Sequence, residues 1–240
     1  MKISDIIADV KRSLDSQGVY RTTAQLLQWA NDCNKLVAGL VLYDERRASV
    51  DIDGTRNFCA LPTDNSATCL APVYVSNAHS GARIHPTKLD TFHFSAELWE
   101  GVVGSQDAES YMLFCPIHPA FAALLVNPIQ NIGKSQFVVV GAFVPPDLTV
   151  TETSRLPEEF TDLLFYYMRI MAFVGEPGRS DDATAEIKRF IGRVNELVVR
   201  VKARFPGGRD YEPTPVEVAY RYTTERQKEV PESVAEPEEK

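Results

Sequence analysis

The sequence is short of the residues on which most catalytic and metal chemistry depends. Its 240 residues include four cysteines, four histidines and two tryptophans. Cys33, Cys59, Cys69 and Cys115 form no C-x-x-C pair and no metal-ligand spacing. Each lies among apolar neighbours, which predicts reduced, buried thiols packing as small hydrophobes. A Cys59–Cys69 bridge across neighbouring strands is the alternative left open. His79, His85, His93 and His118 fall in predicted loops or strand ends, in no HxH or HExxH arrangement. No apolar run reaches the roughly 18 residues of a membrane span. The opening MKISDIIADVKRSLDSQ lacks the unbroken apolar stretch of a signal peptide, so a soluble chain made in the cytosol is expected.

Basic residues are the minority, 25 Lys and Arg against 33 Asp and Glu, for a formal charge of −8. That balance opposes the phosphate neutralisation that tight nucleic-acid binding requires. A surface of this sign instead lets DNA slide past without arrest.

What the chain does have is core material, 44% hydrophobic residues and 10% aromatics. Ile6, Ile7, Val10 and Leu14 recur at helical spacing between a capping Ser4 and Gly18. A second helix opening at Thr22 or Thr23 aligns Leu26, Ala30, Cys33, Val37 and Val41 on one face. From Ala48 the period changes to two. ASVDID, the turn Asp53-Gly54 and TRNFCALP predict a hairpin, and the second strand stops where Pro62, Asp64 and Asn65 favour a turn. Further β-like runs follow in LAPVYVS, YMLFCPI, FAALLVN and QFVVVGAFV.

Helical spacing returns in LPEEFTDLLFYYMRIMAFV, with Pro157 in the first turn and Phe160, Leu163, Leu164, Tyr167 and Met171 as the apolar stripe. A last helix spans about Asp181 to Arg204, with Ile187, Phe190, Ile191, Val194, Leu197, Val198 and Val201 inward. Gly175, Pro177 and Gly178 between them predict an antiparallel hairpin. From Arg209 onward the chain holds nine acidic and five basic residues with four prolines, a composition not expected to pack as core. Within it VEVAYRYT alternates as a strand does, given a partner's edge.

The expected fold class is therefore α+β. An antiparallel helical bundle of two N-terminal and two C-terminal helices (residues 1–45 and 156–205) carries an inserted antiparallel β domain (46–155) and an extended, acidic C-terminal arm (206–240).

Candidate catalytic groups dissolve on inspection. IGKSQ at 132–136 resembles the end of a phosphate loop, but Pro128 stands where its first glycine belongs and a strand follows. Glu158-Glu159 and Asp181-Asp182 sit at predicted helix starts, where they complement the dipole. Ser105 and Ser135 have no nucleophile-elbow context. Tyr166 and Tyr167, Trp29 and Trp99 are core or interface anchors. No catalytic residue, metal ligand or cofactor is assigned.

The order of parts is itself a signal. A strand ending in Phe58-Cys59-Ala60-Leu61-Pro62-Thr63-Asp64 follows two helices. Then come Val73-Tyr74-Val75, Gly81, Leu89-Asp90, Trp99 and Ser110-Tyr111. Leu156-Pro157-Glu158-Glu159-Phe160 next leads into Leu163-Leu164, Tyr166-Tyr167 and Ala172. Over residues 20–204 this resembles the adaptor, or head-to-tail connector, proteins of tailed bacteriophages, although Phe58 stands where Tyr is more usual. The resemblance implies a virion structural protein and no enzyme. It implies a homo-oligomer, commonly a dodecameric ring, in the virion neck beneath the portal protein, with tail or neck proteins on the other side and DNA passing through. An arm would reach the portal or a neighbouring subunit, and its alternating Val216, Val218, Tyr220 and Tyr222 are the candidate contacts. The competing expectation is a cytosolic enzyme or ligand-binding domain with a site between the helices and the β insertion.

Overall fold

A computed structural model describes residues 1–52, 58–64, 67–87, 103–104, 110–114, 123–127, 129–130, 135–204, 210, 213, 215 and 216. Four helices frame the β insertion: α1 (Ile3–Asp15), α2 (Thr23–Val41), α3 (Asp162–Val174) and α4 (Ser180–Ala203). The strands between them are β1 (Glu45–Ile52), β2 (Phe58–Ala60), β3 (Thr63–Asp64), β4 (Ala67–Asn77) and β5 (Arg83–Pro86), then β6 (Val103–Gly104), β7 (Ser110–Phe114), β8 (Ala123–Asn127), β9 (Ile129–Gln130) and β10 (Ser135–Phe143). The α+β architecture is the expected one.

Local chemistry explains the start of α2. Thr22 and Gln25 close a reciprocal capping box on α2. The expected Ser4 cap on α1 is a correction: the helix starts at Ile3 behind Lys2, and the Ser4 hydroxyl bonds the Asp5 carboxylate at 3.2 Å. The helix is instead entered through the backbone, because the Ile3 and Ser4 amides donate to the carbonyls of Glu152 and Val150. Two orphan N–H groups thus find partners on the segment returning from the sheet. That segment also places Leu148 and Leu156 in the helical core, with Leu148 held through both backbone groups by the Asn31 amide.

The helical core is continuous across all four helices, and α3 is its centre, touching α1, α2 and α4. The predicted α2 face is fully buried: Leu26, Ala30, Cys33, Val37 and Val41 are all inaccessible. On α3 the stripe is rotated from expectation. Met168, Ile170, Ala172 and Phe173 are buried beside Leu163 and Leu164, whereas Tyr167 and Met171 are half-buried. A helix packed on three sides buries more than one stripe, so the periodicity of LLFYYMRIMAFV does not by itself select a face.

The main sheet runs in the order β1-β10-β4-β5-β7-β8-β2, with β3 also on β4. Its pairings are antiparallel except β5 with β7. The chain from residue 87 to 109 is long enough for the crossover that a parallel pair needs. The predicted hairpin is a second correction: β1 pairs along its length with β10, and β2 pairs with β8. Asp53-Gly54 itself lies outside the described residues. Strands adjacent in sequence thus occupy opposite ends of the sheet, yet β1 and β2 come within 8 Å of each other. The sheet is therefore curled almost into a barrel around its own core of Leu61, Cys69, Val75, Ile84, Tyr111, Phe137, Val139 and Phe143.

The pairing of β4 with β10 is irregular. Pro72 sits inside β4, between two paired strands, where it can donate no ladder bond. The register breaks on either side of it: Val140 faces Tyr74, Gly141 faces Pro72, Ala142 faces Ala71 and Phe143 faces Cys69. Val73 and Leu70 are the extra, bulged residues. Gly141 is required at this point, since a Cβ there would stand 2.5 Å from the Cys69 sulfur and 3.1 Å from the Ala71 carbonyl. Gly141→Ala should therefore destabilise the protein by about 1–3 kcal/mol in chemical denaturation. Adding Cys69→Ala to Gly141→Ala should recover part of that loss in a double-mutant cycle, and strict additivity would show that the sulfur is not the obstacle.

Candidate assembly surfaces

One end of the bundle is built from the two interhelical turns. Gly18 (φ 74°) and Gly178 (φ 76°) supply the left-handed backbone for these turns. Two arginines lace them together. From the α1–α2 turn, Arg21 donates to the Ala172 carbonyl at 2.9 Å and pairs with Glu176 at 2.7 Å. From the α3–α4 turn, Arg179 donates to the Gln17 carbonyl at 2.7 Å and lies over the Phe173 ring at 5.9 Å. On this braced end Tyr20 and Val174 are 73% and 66% exposed, an outlay of apolar surface that solvent does not favour.

The joint between bundle and β domain is where the competing ligand-site expectation would be met. Asp44 accepts from Arg46 at 2.7 Å and faces Arg155 at 3.7 Å. Arg46 also reaches Asp64 on β3 at 3.2 Å and covers the Phe143 ring. Its hydrogen bond with Asp44 holds the guanidinium firmly charged. Next to it the Tyr43 hydroxyl donates to the Asn34 side-chain oxygen. Burial, then the Asp44 charge, pushes that hydroxyl far above the usual tyrosine range. Opposite charges here satisfy one another and weld β1 and β3 to the end of α2.

Two hollows open on the bundle. One of about 190 Å³ is lined by Met1, Ile6, Asp9, Thr161, Asp162 and Phe165. Another of about 330 Å³ lies between α2 and the returning segment, bridged by a Lys35–Asp147 pair at 2.6 Å. Neither contains a histidine or cysteine. Among the described residues no three His, Cys, Asp or Glu side chains gather as metal ligands do. His79 and His85 are exposed, and His93, His118, Ser105, Trp99 and the Gly133-Lys134 turn lie outside the described residues. No helix among the described residues is long and apolar enough to cross a membrane.

The chain beyond α4 corrects the sequence expectation most. It was expected to stay clear of the cores, yet Asp210 docks on the β domain. Its side chain is 1% exposed, its carboxylate takes bonds from Arg83 at 2.8 Å and the Tyr111 hydroxyl at 2.7 Å, and its amide donates to the Val73 carbonyl at 3.1 Å. Pro213 is buried. Val216, one of the four candidate contacts, is half-buried against the helical core, its amide donating to Asn195 of α4 at 3.0 Å. Val218, Tyr220 and Tyr222 lie outside the described residues. The short-range pattern carried no signal for this docking, since a lone Asp in an acidic, proline-containing stretch looks solvated.

Cys33 and Cys69 are free, buried thiols, so the Cys59–Cys69 bridge is not formed. Burial raises both, Cys69 to about 12. Burial thus disfavours the thiolate, the form that reacts. Peptide mapping after alkylation of the native protein should find Cys33 and Cys69 unlabelled, and both labelled once denaturant is added. Prompt native labelling of either would contradict their burial.

Residues 1–218 match the family model described as SU10 adaptor protein. No curated protein matches the chain. The match takes in both helical pairs, the whole β insertion and the docked Asp210 and Val216. The chain thus belongs to the SU10 adaptor protein family, a bacteriophage adaptor family of the kind its order of helices and strands resembles.

Proposed function

We propose that the protein is a structural component of the virion neck, a head-to-tail adaptor that forms a ring beneath the portal and continues the DNA channel toward the tail. The observation that carries this reading is the family match across residues 1–218, because it covers the bundle and the β insertion together. Its function is binding and assembly, with no reaction.

Three physical features support it. A ring needs heterologous contacts that repeat until they close, and a stiff bundle end displaying Tyr20 and Val174 is suitable material. Aromatic side chains on rigid backbone are the usual anchors of such contacts. The net charge of −8 suits a conduit through which DNA must move, provided part of the acidity faces the lumen. Val218, Tyr220 and Tyr222, alternating in a stretch of high strand propensity, suit an arm that adds to a sheet edge of the portal or of a neighbouring copy.

Mixing the purified protein with portal rings should give a stacked second ring by electron microscopy and an integral number of copies per portal by native mass spectrometry. No association under either method would overturn the adaptor reading. A free protein that is monomeric is compatible with it, since a ring can form on the portal alone.

The arm is tested by cutting the chain after Val216, which removes Val218, Tyr220 and Tyr222 while keeping the docked residues. The shortened protein should unfold at an unchanged temperature and bind the portal, or close its ring, at least about tenfold more weakly, the loss of a few well-packed contacts. Equal affinity of the two forms would refute the attachment role of the arm.

A further inference from the structure

We infer that Asp210 and Val216 are the two ends of a clasp that fastens the chain beyond α4 to both halves of the molecule, so that the segment offered to a partner begins at residue 217.

The clasp starts from the sequence of β4. Val73 is skipped in the β4–β10 register, and the β4–β5 register, with Val75 opposite Ile84, would set it against Pro86, which has no N–H to give. The Asp210 amide donates to the Val73 carbonyl at 3.1 Å. Around this backbone bond the sheet supplies a carboxylate site from two further strands. Arg83 of β5 and Tyr111 of β7 reach the two oxygens of Asp210 separately, at 2.8 and 2.7 Å. Arg83 is itself held in place over the Tyr74 ring at 5.2 Å. These are the strands that form the parallel pair, so the site exists only once the crossover has been made. Six residues further on, Val216 reaches the other half of the molecule, covering the bundle core and bonding Asn195.

A carboxylate that is 1% exposed is not a surface accident. Hydrogen bonds to a buried charged group stabilise more than an exposed ion pair does. The clasp also alters the geometry of the arm. Without it the 35 residues 206–240 would swing from the end of α4; with it 24 residues, 217–240, start beside Asn195. Shortening a tether by that ratio raises its effective concentration less than about twofold. The gain is in placement: the chain is fixed on the β domain at Asp210 and on α4 at Val216. The clasp stands whether or not a portal is the partner; which protein takes the arm rests on the function proposed above.

Trypsin supplies the test, because Arg209 directly precedes Asp210 and Arg221 follows Val216. In the full-length protein, intact-mass analysis should show cleavage after Arg221 well before cleavage after Arg209. Arg83→Met should speed the Arg209 cut about tenfold or more, and Tyr111→Phe should speed it by a smaller factor. Both variants leave the cleaved bond and the Arg221 rate unchanged. Cleavage after Arg12, inside α1, reports general unfolding, and only a gain at Arg209 relative to Arg12 counts for the clasp. Should Arg83→Met fail to fold, Tyr111→Phe, which retains the ring in the β core, carries the test. Equal Arg209 rates in the native protein and in folded Tyr111→Phe would overturn the inference.

Discussion

The bundle depends on neutralising a single arginine. Arg169 lies on α3, the helix with most of its circumference buried, and is itself only 15% exposed. A guanidinium in such a place must be paired, since removing one partner of a buried pair costs about 3–5 kcal/mol. The partner is Glu186 of α4, 3.0 Å away and 3% exposed, which Arg189 also approaches at 3.1 Å. Arg169 further donates to the Ser13 hydroxyl of α1 and lies against the Phe165 and Phe173 rings at 5.4 and 5.3 Å. One charge thereby ties three helices at one level. Apolar side chains would tolerate a helix sliding by a turn; this network does not, because any slip leaves a buried charge alone. The fixed register then brings Arg21 and Arg179 to their carbonyls and braces the end that carries Tyr20 and Val174.

In the β domain the corresponding constraint is steric. Pro72 withholds a donor and Gly141 leaves no room for a side chain where β4 and β10 pair through bulges. The sheet curls until its two end strands come together. Charge pairing at Asp44, Arg46 and Asp64 then joins this domain to α2, and the chain from Asp210 to Val216 joins it to α4. The two domains each have their own core, joined by these polar links and by Leu70 of β4, which packs against the helical core.

Much of this was legible in the residues. The start of α2 at Thr22 or Thr23, its fully buried face, the turn glycines and the inward Phe190, Val194, Leu197, Val198 and Val201 of α4 all follow from rules that operate within a few residues. Family membership was legible too, because LPTD after two helices and LPEEF before a Tyr-rich helix preserve their order. Failures occurred where the deciding partner was distant in sequence. Ser4 could not be seen to lose its cap role to carbonyls some 146 residues away. Asp53-Gly54 favoured a hairpin, but the longer apolar strand β10 offered β1 eight consecutive pairings, which outweigh what one turn can specify.

By itself the sequence determined the elements and their class, since helical and strand periodicity, caps and breakers act locally and cooperate along the chain. Tertiary structure alone decided which strand met which, which face of α3 was inner, and where the chain beyond α4 went. The physical reason is the same in each case: those outcomes depend on desolvating a group and finding its partner across the fold. Glu186 reads as a solvated helix residue until Arg169 stands opposite. Asp210 reads as part of an acidic tail until Arg83, Tyr111 and the carbonyl of Val73 are assembled around it.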